Sequence, residues 1–297
     1  MGGVIAQGLM RLAFGPLFGW QDAEDHGLEQ HRIRGLDGSL LALALARTAD
    51  APPRGVVLLC HPLLKYGKSY FWHASYHRWL TAAGYHALGF DFKGFGASQL
   101  RGISFADDVA SAALWARQQF PGLPLHLLGA SFGACHGIHC LARPARPLDG
   151  GPASAAALAS GGPARAEFTS AVFDSAPVDI TRFFGRGWVG ALMRRVAASR
   201  WGRPAGMRPI VESLPAAGPL PCLFLYGGAD PFVTPAEIEQ VRQACRGARI
   251  QVFDGCGHLE LRKQRRDDYI GAVLAFFALH AAPAHGMPAA QPAKDAA

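Results

Sequence analysis

The chain has 297 residues, 50% of them hydrophobic and 17% charged, which indicates a globular protein with a sizeable core, in one large domain or two small ones. The formal net charge of +7 is moderate, and such basicity is only weakly diagnostic of an anionic partner. Six cysteines are too sparse for a disulfide scaffold in a chain of this length, so a reducing, cytoplasmic location is the simplest expectation.

Residues 1–26 form an apolar N-terminal arm that lacks the features of a targeting signal. Within "MGGVIAQGLMRLAFGPLFGW" the only charge is Arg11, in the middle of the stretch, and no small-residue cleavage site follows. No uninterrupted apolar run here is long enough to span a bilayer. We expect the arm to pack on the body of the protein, a lid or a second subunit; peripheral membrane contact and the oligomeric state are left open.

Short apolar runs after this arm predict the strands of one sheet. "HRIRGLDGSLLALALART" predicts a hairpin that turns at Asp37 and Gly38. Six further runs follow at spacings that leave room for crossover helices: "GVVLLC", "HALGFD", "LHLLG", "FTSAVFD", "PCLFLYG" and "ARIQVFD". Strands that alternate with helices predict a mostly parallel sheet of about eight strands with helices on both faces, over residues 27–280.

Three of the connecting segments have helical patterns. "SFADDVASAALWARQQF" begins with a predicted capping box from Ser104 to Asp107, and "TPAEIEQVRQAC" with one from Thr234 to Glu237. "DDYIGAVLAFFAL" has apolar residues at helical spacing. The Ala- and Pro-rich residues 281–297 are expected to be disordered.

Residues 177–218 interrupt the alternation and are predicted to form a small helical lid over the carboxyl ends of the strands. Between residues 177 and 210 the chain has seven arginines and a single acid, Asp179, interleaved with aromatic residues. This pattern fits an amphipathic surface helix, and it also fits an apolar acyl slot with a basic rim for an anionic carrier such as coenzyme A or an acyl carrier protein. Substrate or lid contacts are expected from Phe183, Phe184, Trp188, Trp201, Arg182 and Arg186.

The segment "LHLLGASFGAC" places Ser131 between Gly129 and Gly133 at the end of an apolar run. A plain strand-to-helix turn explains this pattern. So does a nucleophile held on a sharp bend, where small neighbours avoid clashes and the next backbone N–H points at a developing oxyanion.

Two further polar residues follow predicted strands. Asp230 comes after "PCLFLYG", and His258 lies in a glycine-flanked loop after "ARIQVFD". Each residue alone reads as an ordinary turn or loop residue. The order Ser131, Asp230, His258, all at strand ends, favours a nucleophile, an orienting carboxylate and a general base.

With these residues the sequence resembles the α/β-hydrolase family from about Gly55 to Leu279. "HPLLKYG" is similar to the family's oxyanion loop, and "DFKGFGAS" to its D-x-R-G-x-G-x-S loop, with Lys93 where arginine is usual. The resemblance implies backbone N–H donors at Leu63 and Phe132. Pro62 stands where glycine is usual and has no N–H to donate.

The same resemblance implies a loop-organising role for Asp91. It also makes Asp174, after "FTSAVFD", a weaker alternative to Asp230, because some members place their carboxylate there.

The segment "CHGIHC" is expected to pack in the core, because on a helix its cysteines and histidines spread too widely around the axis to ligate one metal ion. No phosphate loop or dinucleotide motif is present in the sequence, so no metal or organic cofactor is expected. The basic residues form no recognisable nucleic-acid-binding module.

The sequence therefore predicts a serine hydrolase that cleaves a carboxylic ester or thioester with an apolar acyl group through an acyl-enzyme on Ser131. A peptidase or a carbon–carbon bond hydrolase is compatible with the same three residues. A catalytically silent binding or scaffold protein is the alternative from a different class, motivated by Pro62 and the apolar arm.

Overall fold

The computed structural model of the chain describes residues 27–281 apart from 51, 64, 65, 103, 144–167, 185, 186, 189, 190, 192, 193, 196–198 and 200–207. The arm predicted at 1–26 and all but the first residue of the predicted tail lie outside the described residues. The predicted lid at 177–218 is described mainly at its two ends, 177–184 and 208–218. The arm, the lid and the tail remain predictions.

The core of the protein is one eight-stranded sheet with the strand order β1-β2-β4-β3-β5-β6-β7-β8. β1 and β2 form the antiparallel hairpin at one edge, β2 is antiparallel to β4, and all later pairings are parallel. The prediction of a mostly parallel sheet with about eight strands is confirmed. The strands are β1 Glu29–Arg34, β2 Leu40–Ala46, β3 Gly55–Cys60, β4 Tyr85–Phe90, β5 Leu125–Ala130, β6 Ser170–Asp174, β7 Cys222–Gly227 and β8 Arg249–Phe253.

Helices cover both faces of this sheet, as expected for buried parallel strands. They are α1 Ser69–His73, α2 Tyr76–Ala82, α3 Phe105–Gln119, α4 Phe132–Leu141, α5 Pro235–Ala244, α6 Leu261–Gln264 and α7 Arg266–Leu279. Short 3-10 helices span Ile180–Phe184, Ile210–Glu212 and Leu214–Ala217. Among the residues that the structure describes, no helix is long and apolar enough to cross a membrane.

Strand β3 shows why the continuous apolar runs form central strands. Its successive side chains point to opposite faces, so Leu58 packs in the core layer that contains α3 and α4, and Leu59 packs in the layer that contains α1, α2 and α7. Every residue of β3 is buried. A run that is apolar at every position therefore supplies apolar side chains to the core layers on both faces of the sheet.

The two predicted capping boxes have different outcomes. At the start of α5, Thr234 Oγ1 accepts the Glu237 N–H at 3.3 Å and the Glu237 carboxylate accepts the Thr234 N–H at 2.8 Å, which confirms the prediction. At the start of α3, Ser104 makes no capping bond, so that prediction was wrong. The reason is a tertiary contact: the Arg143 guanidinium, at the end of α4, donates to Ser104 Oγ at 2.6 Å.

Candidate active site

The carboxyl ends of β5, β7 and β8 bring together the three polar residues singled out in the sequence. Ser131 directly follows β5, Asp230 lies in the loop after β7, and His258 lies in the loop after β8. Because parallel strands end at one edge of a sheet, loops far apart in the chain meet there.

Ser131 lies at a sharp bend whose geometry requires both neighbouring glycines. Its backbone has φ +49° and ψ −108°, a conformation that a non-glycine residue rarely adopts. A Cβ atom on Gly133 would lie 2.0 Å from the Cys60 carbonyl oxygen, and one on Gly129 would lie 2.7 Å from the Ala134 Cα. The serine is therefore held in a strained turn between β5 and α4, as the sequence motif predicts.

The side chains of Ser131, His258 and Asp230 form a continuous hydrogen-bonded chain. His258 Nε2 lies 2.9 Å from Ser131 Oγ, and His258 Nδ1 lies 2.7 Å from Asp230 Oδ2. The other carboxylate oxygen, Asp230 Oδ1, accepts the Phe232 N–H at 2.8 Å. A buried carboxylate on Nδ1 holds the imidazole in the tautomer that leaves Nε2 free to accept the serine proton.

Close backbone packing aligns the loops that carry Asp230 and His258. The Ala229 N–H donates to the Cys256 carbonyl at 2.9 Å, and the Gly228 N–H donates to the Phe253 carbonyl at 2.8 Å. A Cβ atom on Gly227 would lie 2.2 Å from the Cys256 oxygen. The glycine at the end of β7 thus permits the contact between the two loops.

Asp174, the alternative acid, does not bind His258 through its side chain. It lies buried at the end of β6, where burial raises the pKa of its carboxyl to about 6. Its Oδ1 accepts a hydrogen bond from Ser175 Oγ at 2.9 Å. The carboxylate in contact with the imidazole is that of Asp230.

The residues expected to supply backbone donors, Leu63 and Phe132, follow β3 and Ser131 respectively. Phe132 is the first residue of α4, and the first N–H groups of a helix have no acceptor within it. Leu63 follows Pro62, whose carbonyl oxygen accepts a hydrogen bond from His61 Nδ1 at 2.8 Å. Because a peptide unit is planar and trans, this bond also fixes the direction of the Leu63 N–H.

His61 lies beside the candidate site, and the sequence analysis assigned it no role of its own. It is completely buried, and its Nε2 accepts the Phe92 N–H at 3.0 Å while its Nδ1 donates to Pro62. Burial lowers the pKa of the imidazole to about 4, so the ring is neutral at neutral pH and keeps this tautomer. The signal in the sequence was a histidine next to proline directly after a buried strand.

Asp91 organises the loops beside the site. Its carboxylate accepts hydrogen bonds from the Lys68 N–H at 2.8 Å, from Lys68 Nζ at 2.7 Å and from the Ala97 N–H at 3.0 Å. A carboxylate with three donors is a structural anchor for the chain around it. This geometry agrees with the loop-organising role implied by the sequence.

A family model described as serine aminopeptidase, S33, matches residues 51–183. The matched segment is less than half of the chain; it includes Ser131 and ends before Asp230 and His258. No curated protein sequence is significantly similar to the chain.

Solved structures are similar over most of the chain. An esterase from Pyrococcus furiosus is 16% identical, with a TM-score of 0.63 over 86% of this chain and 93% of its own. An α/β hydrolase from a Penicillium species is 14% identical, with a TM-score of 0.63 over 85% and 98%. A serine hydrolase without a lid from Xanthomonas campestris is 19% identical, with a TM-score of 0.54 over 88% and 97%. These likenesses establish the fold.

The chain therefore has the α/β-hydrolase fold, and its segment 51–183 is similar to the serine aminopeptidase, S33, family. In this structure the base of the predicted lid contacts the candidate site through an aromatic pair. The ring of Phe183 stacks on Phe232 with a centroid distance of 4.4 Å, and the two rings lie 5.7 Å and 5.0 Å from the His258 ring. Phe232 was not singled out in the sequence, where it reads as a turn residue after "ADP".

The other residues predicted to contact the lid or the substrate lie in different environments. Arg182 Nη1 pairs with Glu237 Oε2 at 3.0 Å, so its charge is neutralised by α5. Trp188 is 80% exposed. Phe184 ends the 3-10 helix Ile180–Phe184, and Arg186 and Trp201 lie outside the described residues.

The segment "CHGIHC" lies on α4 and packs in the protein interior, in agreement with the core interpretation. Cys135, His136, His139 and Cys140 are all buried, and His139 Nδ1 lies 2.9 Å from Ser213 Oγ. Over the described part of the chain, no group of three or more histidine, cysteine and acidic residues is arranged to hold a metal ion.

Proposed function

We propose that this hydrolase cleaves a carboxylic ester or thioester with an apolar acyl group, through an acyl-enzyme on Ser131. The observation that carries the proposal is the hydrogen-bonded chain from Ser131 Oγ through His258 to Asp230. A serine on a strained turn, with its base and the partner of that base in hydrogen-bonding contact, has the arrangement needed for nucleophilic acyl transfer.

In the proposed reaction Ser131 Oγ attacks the acyl carbon, and its proton moves to His258 Nε2. Asp230 orients the imidazole and stabilises the imidazolium that forms. The protonated His258 then donates to the leaving alcohol or thiol, and the acyl-enzyme remains. Water enters, loses a proton to His258 Nε2 and attacks the acyl carbon, which releases the carboxylic acid and restores the serine.

The tetrahedral intermediates of this reaction need donors for the oxyanion. We assign that role to the backbone N–H groups of Leu63 and Phe132. In support, His61 fixes the peptide unit between Pro62 and Leu63. Removal of one oxyanion donor typically lowers kcat by a factor of about 10²–10³, so the orientation of this peptide matters.

One observation supports an apolar acyl group, and the charge of the predicted lid is compatible with an anionic carrier. The Phe183–Phe232 pair places apolar surface beside His258. The arginines of the predicted lid are the proposed contacts for coenzyme A or an acyl carrier protein. Arg182 contributes little to that rim because Glu237 neutralises it.

The first test is labelling with a fluorophosphonate probe, which forms a covalent bond with activated serines. We expect the wild type to gain the probe mass on Ser131, and Ser131→Ala and His258→Ala to lose the label. Ser75→Ala is the matched control, because Ser75 also has a positive φ but lies outside the site. A folded wild type that takes no label would contradict the proposal and favour the binding or scaffold function.

A peptidase is the second candidate, because the matching family model is described as serine aminopeptidase. Amide and ester hydrolysis use the same nucleophile and base, so substrates must separate them. We expect wild-type turnover of p-nitrophenyl acyl esters to exceed turnover of aminoacyl p-nitroanilides in kcat/KM. The reverse order would make the peptidase the better assignment.

A further inference from the structure

Backbone strain is concentrated where the three proposed catalytic loops meet. Among the described residues, four non-glycine residues have a positive φ: Ser75, Ser131, Ser175 and Leu259. Three of these are Ser131 itself, Leu259 directly after His258, and Ser175 directly after β6. Such strain persists only where the surroundings over-determine it, and it clusters at functional sites. The strain at Ser175 is not explained by the roles assigned so far.

Ser175 is completely buried, and its N–H and hydroxyl groups form hydrogen bonds with residues at the ends of β6 and β7 and in the His258 loop. Its N–H donates to the Leu225 carbonyl, near the end of β7, at 2.9 Å. Its hydroxyl donates to Asp174 Oδ1 at 2.9 Å and accepts the Leu259 N–H at 3.1 Å. The Ser175 side chain therefore contacts the backbone of the His258 loop directly.

Asp174 links Ser131 to the loop of His258 through two hydrogen bonds and Ser175. Its backbone carbonyl accepts the Ser131 N–H at 2.8 Å, which takes that N–H out of consideration as an oxyanion donor. Its carboxylate accepts a hydrogen bond from the Ser175 hydroxyl, so a lone pair of Ser175 Oγ faces the Leu259 N–H. Asp174 and Ser175 thus tie the strained turn at Ser131 to the strained residue after His258.

We propose that Ser175 is a positioning residue that holds His258 in line with Ser131 by accepting the Leu259 N–H; this rests on the function proposed above. The imidazole already has Asp230 on Nδ1, but a side-chain bond fixes only one end of the residue. The Ser175 contact fixes the backbone at the other end, so the ring approaches Ser131 from a defined position. A misplacement of about 1 Å at a reacting group can lower the rate by a factor of about 10².

The test compares Ser175→Gly with Ser175→Ala. Glycine removes the hydroxyl and at the same time relieves the positive φ, so the folded state is retained even if the alanine variant fails to fold. The same two substitutions at Ser75 are the matched controls, since Ser75 has φ +58° outside the site. The melting temperature of every variant is measured first. Fluorophosphonate labelling rate and ester kcat and KM are then measured at a temperature below all of the melting transitions.

A positioning role predicts a decrease in labelling rate and kcat on the order of tenfold in Ser175→Gly, with KM nearly unchanged, because Ser175 is buried away from substrate. A purely structural role would lower the melting temperature and leave kcat intact. Ser175→Gly with wild-type labelling rate and kcat would overturn the inference while the proposed function stands. An unlabelled, folded wild type would overturn both.

Discussion

At the residue scale, the candidate site requires glycine at positions where a Cβ atom would clash with neighbouring backbone. Gly133 lies so close to β3 that a Cβ atom would lie 2.0 Å from the Cys60 carbonyl oxygen and 2.7 Å from that of His61. Both of these neighbouring atoms belong to the backbone, so neither can move aside as the end of a flexible side chain could. The glycine therefore controls the distance between the Ser131 turn and the loop that carries Leu63.

Gly133→Ala is expected to lower the melting temperature and abolish fluorophosphonate labelling, because overpacking against backbone costs about 1–3 kcal/mol and displaces the turn. Gly271→Ala is the matched control: it lies in α7 with open space around it. That substitution should raise stability by up to about 1 kcal/mol and leave labelling intact. A fully active Gly133→Ala variant would be inconsistent with the close contact at this turn.

His61→Ala is expected to lower kcat for a p-nitrophenyl ester by a factor on the order of 10 or more, with little change in KM, because the Leu63 N–H loses its fixed direction. His86→Ala is the control. His86 is also buried and accepts a backbone N–H, from Thr48 at 3.1 Å, but it lies near the start of β4 at the opposite end of the sheet. We expect the His86→Ala variant to be less stable and to keep the wild-type kcat. Equal losses of kcat in both variants would refute the role of His61 in orienting the Leu63 N–H.

At the element scale, the loop after β4 accommodates a buried cation. Lys93, which stands where the sequence pattern that the loop resembles has arginine, is completely buried. Its ammonium group pairs with Asp37 in the β1–β2 turn and with Asp108 on α3, and burial raises the pKa of the Asp108 carboxyl to about 7. The cation therefore connects a hairpin, a strand end and a helix.

The proposed anionic carrier can be tested through the charge of the predicted lid. Reversal of Arg194 and Arg195 to glutamate is expected to raise KM for an acyl-coenzyme A thioester about tenfold and to leave KM for a neutral p-nitrophenyl ester unchanged, because only the first carries phosphates. Arg242→Glu on α5 is the control, because Arg242 is an exposed arginine that pairs with Glu239. Equal increases for both substrates would argue against an anionic carrier.

At the scale of the whole molecule, buried histidines make the fold sensitive to acid. His126, in the central strand β5, is completely buried, stacks on Phe277 and lies 2.9 Å from Ser170 Oγ through its Nδ1. Burial, followed by the charges of His280 and Arg117, lowers its pKa from 6.5 to about 4. Between these pH values the unfolded chain binds a proton that the folded protein does not, so stability falls as pH drops from about 6.5 to 4.

His126→Gln isolates this effect, since buried Asp108 and Asp174, whose pKa values are raised, act in the opposite direction in both proteins. The wild type should lose about 2 kcal/mol more unfolding free energy than the variant between pH 7 and pH 4.5. Urea denaturation at the two pH values measures the difference. An identical pH dependence would show that the pKa of His126 is the same in the folded and unfolded states, which would contradict the effect of burial.

Much of this molecule is readable in the sequence because the relevant physics is local. The central strands are continuous apolar runs, since both faces of the sheet are covered, and the turn at Ser131 requires small residues at Gly129 and Gly133. Asp230 and His258 follow strands, and parallel strands deliver such residues to one edge. Strand number, sheet type and the candidate residues follow from these patterns.

The tertiary structure alone decided which groups touch. Asp174 ends β6 and Asp230 follows β7, and the close packing of Gly227 against Cys256 helps to bring Asp230 to the imidazole. Arg143 donates a hydrogen bond to Ser104 Oγ, which was expected to cap α3. Ser175 Oγ accepts the N–H of Leu259, 84 positions away in the chain. Such contacts depend on the register of neighbouring strands and on the distance between loops that are far apart in the chain. A pattern of residue types along the sequence specifies neither the register nor that distance.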